Sequence, residues 1–121
     1  MRRGWAALSV NGKKENLFEI SGQEMGADEK IFVLHETPDI RIEKIISTGQ
    51  TSEQDFWYDQ DEAEWVSVLQ GEAVLRLEDR QVILGQGDTF LIPPHCRHQV
   101  AYTSQEPPCI WLCVFYQEGK E

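Results

Sequence analysis

The sequence predicts an all-β fold, a small antiparallel β-barrel or jelly roll preceded by a less regular N-terminal arm. From residue 31 onward the chain consists of short runs rich in β-branched and aromatic residues, each bounded by Gly, Pro, Asp or Ser. No helical period persists for ten residues in this region. Short strands punctuated by turns are typical of sandwiches and small barrels. We therefore expect an arm over 1–30 and a single barrel domain over 31–121.

The predicted strands differ in how clearly their faces can be assigned. The run AVLRLED alternates cleanly, whereas IRIEKIIS leaves Ile45 and Ile46 adjacent, so that its facing stays ambiguous. In EWVSVLQG, Glu64 heads the row that Val66 and Val68 are expected to bury. A buried carboxylate is costly unless it is paired or bound to a cation. The predicted strands are, in order, IFVLHE, IRIEKIIS, EWVSVLQG, EAVLRLED, QVILGQG, TFLIPP, HQVAYT and CIWLCVFY.

The composition excludes several partner classes. With 121 residues and a formal net charge of -10, the surface should repel nucleic acid and anionic membranes. No glycine-rich phosphate loop is present, so no nucleotide cofactor is expected. The N-terminal apolar run is too short for a signal peptide, and no stretch approaches the length that spans a membrane.

The cysteines point to a reducing compartment. Cys96, Cys109 and Cys113 form no CxxC pair. On one strand Cys109 and Cys113 would lie about 13 Å apart, too far for a disulfide. Reduced thiols, and with them a cytoplasmic location, are the prediction.

Two stretches, GQTSEQDFWYDQDEAEWVSVLQG and GQGDTFLIPPHCRHQV, resemble the two signature motifs of the cupin family. In the second motif, G-x5-P-x-G-x2-H-x3-N, Gly87, Pro93 and His98 fall on register. His95 stands at the second glycine and Tyr102 at the asparagine. The resemblance covers residues 40–116 and implies a cupin barrel, a small-molecule ligand and a homodimer.

The first motif, G-x5-H-x-H-x3,4-E-x6-G, matches only in its second half, at Glu64 and Gly71. Both histidines are missing. With the longer gap their places fall to Trp57 and Asp59, and with the shorter gap to Tyr58 and Gln60.

In metal-binding cupins the matching glutamate and histidine bind a divalent ion. The resemblance therefore implies Glu64 and His98 as ligands, with Asp59 replacing a histidine and His95 or Gln60 as possible additions. Two carboxylates and an imidazole suit iron or manganese, and nickel or zinc are further options. Tyr58 and Tyr102 are expected to line the pocket, and Glu64 with His98 would act as general acid and base in any catalysis.

Each of these residues also has a simpler interpretation. Glu64 and His98 can be hydrogen-bonded residues at the barrel rim, Asp59 part of a solvated acidic loop, and His95 a surface turn residue. Two hypotheses therefore stand: a mononuclear metal cupin that transforms a small molecule, and a metal-free cupin that binds or senses one.

Overall fold

The computed structural model describes residues 14–20 and 27–117, and over these ranges the chain is an antiparallel all-β protein. The rest of the predicted arm, 1–13 and 21–26, lies outside the described residues. The strands are β1 (Lys30–Glu36), β2 (Ile40–Ser47), β3 (Ala63–Gln70), β4 (Ala73–Leu77), β5 (Gln81–Leu84), β6 (Thr89–Ile92), β7 (His98–Thr103) and β8 (Cys109–Tyr116). The described part of the chain contains no helix long and apolar enough to cross a bilayer.

The strands form two sheets that enclose one core. The larger sheet has the order β1-β2-β8-β3-β6 and the smaller one β5-β4-β7. Apolar side chains from both sheets meet between them, as the alternating runs predict. The buried cluster consists of Val66, Val68, Ala73, Leu75, Leu84, Ile92, Cys109, Trp111, Cys113 and Phe115. The three cysteines are free thiols.

The register of the larger sheet decides which polar residues face inward. Glu64 on β3 lies opposite Ile92 on β6 and Phe115 on β8. Cys113 on β8 lies opposite Glu43 on β2. Residues directly opposite one another share a face of a sheet. Two carboxylates are therefore carried on the same face as the core.

The sequence left the facing of Ile45 and Ile46 on β2 ambiguous, and the structure shows that both are buried, one on each face of the sheet. Ile45 packs against the core cluster, and Ile46 on the opposite face is also buried. On that outer face Lys44 Nζ donates to the carbonyl of Glu19, at 2.7 Å. The described part of the arm therefore crosses the outside of β2, which removes the polar side that strand alternation normally reveals.

Candidate functional site

A cavity of about 140 Å³ lies between the two sheets. Its apolar walls come mainly from Ile45, Val66, Leu75, Ile92, Trp111 and Phe115. Its polar groups are Glu29, Glu43, Tyr58, Gln60, Glu64 and His98. A cavity of this kind, apolar with a few convergent polar groups, is the usual form of a small-molecule site.

Glu64 is a buried carboxyl group on the cavity wall. The residue is 9% exposed. Burial raises its pKa from 4.5 to about 7, against the opposing effect of hydrogen bonds from Gln60 and from the Cys113 thiol. Gln60 Nε2 donates to Glu64 Oε1 at 3.2 Å. Glu64 is therefore a group that exchanges its proton near neutral pH.

His98 begins β7 and is 3% exposed. Its Nδ1–H donates to the Cys96 carbonyl at 2.9 Å, which leaves Nε2 as the acceptor in the neutral ring. Burial lowers the pKa of His98, against a smaller opposing effect of the Cys96 hydrogen bond. Nε2 lies 3.8 Å from Glu64 Oε1, beyond hydrogen-bond range. The structure thus brings together the two residues that the sequence placed on register.

Of the two pairs left open at the missing histidines, Tyr58 and Gln60 reach the cavity, and Trp57 and Asp59 do not. Tyr58 exchanges backbone hydrogen bonds with His98, N to O at 2.8 Å and O to N at 3.1 Å. Its ring stacks on the imidazole with centroids 5.1 Å apart. In this extended segment neighbouring side chains point to opposite sides, so Asp59 is turned away from Glu64.

Asp59 instead pairs with His95 at the surface. Asp59 Oδ1 lies 2.8 Å from His95 Nδ1, and Asp61 Oδ1 lies 3.1 Å from His95 Nε2. Neither Asp59 nor His95 lines the cavity, so the structure does not place them as ligands beside Glu64 and His98. His95 has φ 61°, which explains why this motif position favours glycine.

Tyr102 is 44% exposed and does not line the cavity, although the sequence analysis expects it to line the pocket. The β4–β7 register shifts between Val74, opposite Tyr102, and Leu75, opposite Val100. Such a bulge reverses the facing of the residues beyond it. Val100 therefore lines the cavity and Tyr102 points outward.

Glu29, Glu43 and Cys113 belong to the site but were missed from the sequence. Glu43 lies on the same face of β2 as Ile45. The sequence did not indicate this face, because Ile45 and Ile46 are adjacent and both apolar. Burial raises the pKa of Glu29, which Ser47 partly offsets by donating a hydrogen bond to it. Glu29 precedes β1, where no alternation exists to indicate its direction.

The donor set does not suit the divalent ion that the resemblance implies. Within residues 14–20 and 27–117, no three His, Cys, Asp or Glu side chains are grouped as a metal would require. Of the predicted ligands, the geometry brings together Glu64, His98 and the neutral amide of Gln60, and it leaves Asp59 and His95 outside the cavity. Burial raises the pKa of Cys113 well above its usual value, so this thiol is protonated in the metal-free protein.

Comparison with known proteins agrees with this fold. The cupin-domain family model matches residues 44–115. A Ralstonia eutropha crystal structure named a "putative mannose-6-phosphate isomerase" is 38% identical, with a TM-score of 0.79, covering 87% of this chain and 98% of its own. No curated protein matches the chain.

Two more distant crystal structures support the fold alone. A cupin superfamily protein from Desulfitobacterium hafniense is 17% identical, with a TM-score of 0.67, and the match covers 78% of this chain and 82% of that one. An RmlC-like cupin from Shewanella frigidimarina is 20% identical, with a TM-score of 0.64, covering 79% and 82% respectively. The homodimer and the cytoplasmic location stay predictions.

Proposed function

Since this chain belongs to the cupin family, we propose that its barrel cavity binds a small organic molecule directly, through Glu64 and His98 rather than through a metal ion. The observation that carries the proposal is the pair of buried polar groups on the cavity wall, 3.8 Å apart and joined by no hydrogen bond. Tyr58 and Gln60, which stand at the positions that the shorter gap assigns to the two missing histidines, line the cavity, and neither is an imidazole. The cavity volume of about 140 Å³ favours a ligand near the size of a benzene ring.

Small aromatic fragments should therefore bind to protein treated with a chelator. The matched control is Val100→Phe, because this half-buried side chain lines the cavity and a phenyl group there would fill it. We expect fragment-induced shifts of the His98 ring NMR signals in the wild type and at least a tenfold weaker response in the variant.

The opposite result would restore the metal hypothesis. Near-stoichiometric iron, manganese, nickel or zinc in untagged protein, lost in both Glu64→Gln and His98→Ala, would show that the pair holds an ion. Elemental analysis of the three proteins provides this measurement.

A second candidate function is proton transfer on a bound carbonyl compound. Glu64, with its pKa raised to about 7, faces a neutral His98, and two groups with such environments can exchange the roles of acid and base. The Ralstonia protein is named as an isomerase, a class of enzyme to which this type of reaction belongs. In this candidate Glu64 and His98 are the catalytic residues.

Mannose 6-phosphate itself should not be isomerised by this chain. Glu29, Glu43 and Glu64 line the cavity, and none of the described lining residues is Lys or Arg, so a phosphate dianion would meet like charge. A coupled assay should give no rate above buffer, with or without added divalent metal. Turnover that disappears in both Glu64→Gln and His98→Ala would contradict this expectation.

A further inference from the structure

We infer that the ligand of this cavity carries a primary ammonium group, held between the Glu64 carboxylate and Nε2 of His98. This inference rests on the proposed function and assigns the chemical class of its ligand. It follows from three features of the described residues: the hydrogen-bonding capacity of the pair, the charge around it and the aromatic walls.

The first feature is an excess of acceptors. Nδ1 of His98 is already used by the Cys96 carbonyl, so Nε2 offers a lone pair toward the cavity. Glu64 Oε1, which accepts from Gln60 Nε2 at 3.2 Å and has a second lone pair, faces it at 3.8 Å with no donor between the two atoms. His98 is more than nine-tenths buried, and its ring borders the cavity, where a ligand can reach Nε2. A ligand that donates to both atoms would use the acceptor capacity that the pair offers toward the cavity.

The number of hydrogens on the donor group separates the ligand classes. A hydroxyl group has one hydrogen and can satisfy only one of the two acceptors. An ammonium group has three and can satisfy both, and its bond to a carboxylate is charge-assisted. An anionic ligand would place a further acceptor beside Glu64 and His98. The geometry therefore favours an amine over an alcohol and an alcohol over a carboxylate.

The charge of the cavity points the same way. Glu29, Glu43 and Glu64 line it. The nearby cation, Arg41, lies outside the lining and is shared between carboxylates, with Nε 2.7 Å from Glu43 and Nη1 3.3 Å from Glu62. Arg41 is thus shared by Glu43 and Glu62, and no Lys or Arg of the described lining offsets Glu29 or Glu64.

The aromatic walls suit the same class. Tyr58, Trp111 and Phe115 line the cavity beside the pair. One face of Phe115 is covered by Arg41 and one face of Tyr58 by His98, and the rest of these rings offers apolar surface. A short amine with a compact apolar body would place its charge at Glu64 and its body against these rings.

Binding should be coupled to loss of the Glu64 proton. In the free protein this carboxyl is half protonated near pH 7. An ammonium ligand binds the carboxylate form, and the displaced proton passes to the buffer. The groups that act on Glu64 in the free protein are His98, Gln60, Cys113, Glu43, Arg41 and Tyr58. The affinity for an amine should rise about tenfold between pH 6 and pH 8, while an alcohol should show no rise.

The test compares three probes of one shape and different charge: benzylamine, benzyl alcohol and benzoate. Calorimetry on the full chain at pH 6, 7 and 8, in buffers of different ionisation enthalpy, measures the affinity and the protons released. At pH 8 we expect benzylamine to bind at least tenfold more tightly than benzyl alcohol, and benzoate most weakly. Glu64→Gln should reduce the difference between amine and alcohol to less than threefold. The exposed Glu78→Gln serves as the control and should leave the difference intact.

The outcomes separate this inference from the proposed function. If benzyl alcohol or benzoate binds as tightly as benzylamine, and Val100→Phe abolishes that binding, the ammonium inference fails and the proposed function stands. If none of the three probes binds at 10 mM, both fail. An amine preference that persists in Glu64→Gln would also overturn the inference, because it would place the cation elsewhere.

Discussion

Replacing Gly71 by alanine is expected to lower the free energy of unfolding by about 3 kcal/mol. Gly71 links β3 to β4 with φ 83°, a conformation that costs an L-residue about 1–2 kcal/mol. A Cβ at this position would also collide with Ser104 Oγ and lie 2.9 Å from the Pro108 carbonyl oxygen. Ser104 cannot easily move, because its hydroxyl donates to the Pro107 carbonyl at 2.8 Å. Overpacking of this kind typically costs about 1–3 kcal/mol.

Gly87 provides the matched control for Gly71. Its φ is 88°, but a Cβ there would meet nothing within 4 Å. Gly87→Ala should therefore lose only about 1 kcal/mol, the cost of the backbone conformation. Urea unfolding of the three proteins measures both values. Equal losses would mean that the contacts around Gly71 relax, and that the positive φ alone explains the glycine.

The signals that the sequence carried most clearly concern backbone geometry. Gly71 and Gly87 were identified by motif spacing, and the structure gives each a positive φ. His95, at a position where the motif has glycine, adopts φ 61° and is contacted by two carboxylates. The strand runs were predicted because β-branched residues and turn formers act locally. The all-β cupin fold could therefore be predicted from the sequence alone.

The direction in which a side chain points was harder to predict from the sequence, because it depends on the register of the strands. The motif allows a gap of three or four residues before Glu64, so the sequence left two residue pairs open for the positions of the missing histidines. Only the fold shows that Tyr58 and Gln60 are the pair that reaches the cavity. One bulge in β7 turned Tyr102 outward. A one-residue change in strand register moves a side chain to the other face, and spacing alone does not reveal such a change.

Contacts between residues that are distant in the sequence were the hardest to predict. Cys113 donates to Glu64, and Glu43 lies opposite Cys113, through pairings that join β2, β8 and β3. No local pattern indicates that these three residues meet. The sequence raised the question of what accompanies a carboxylate in a buried row, and the structure answers it with a raised pKa and a thiol donor.

Replacing Glu64 by glutamine is expected to stabilise the protein by about 3 kcal/mol at pH 8 and to have little effect at pH 4.5. The pKa of Glu64 is raised from 4.5 to about 7, mainly by burial. The folded state therefore binds the proton more tightly than the unfolded state, and stability falls as the pH rises. The penalty is absent below pH 4.5, grows between pH 4.5 and 7, and is complete above pH 7. A shift of this size corresponds to about 3 kcal/mol at about 1.4 kcal/mol per pH unit.

The difference between wild type and Glu64→Gln isolates this one group, because His98 and Glu29 titrate in both proteins. Urea unfolding at pH 4.5, 6, 7 and 8, with no amine in the buffer, measures it. The exposed Glu72→Gln is the control for the loss of a surface carboxyl group and should change the free energy of unfolding by less than about 0.5 kcal/mol. A gain that is the same at every pH would show that glutamine improves packing and that Glu64 titrates normally. A gain confined to high pH would identify Glu64 as a carboxylate kept at a cost in stability, as expected of a binding residue whose ligand supplies the missing charge.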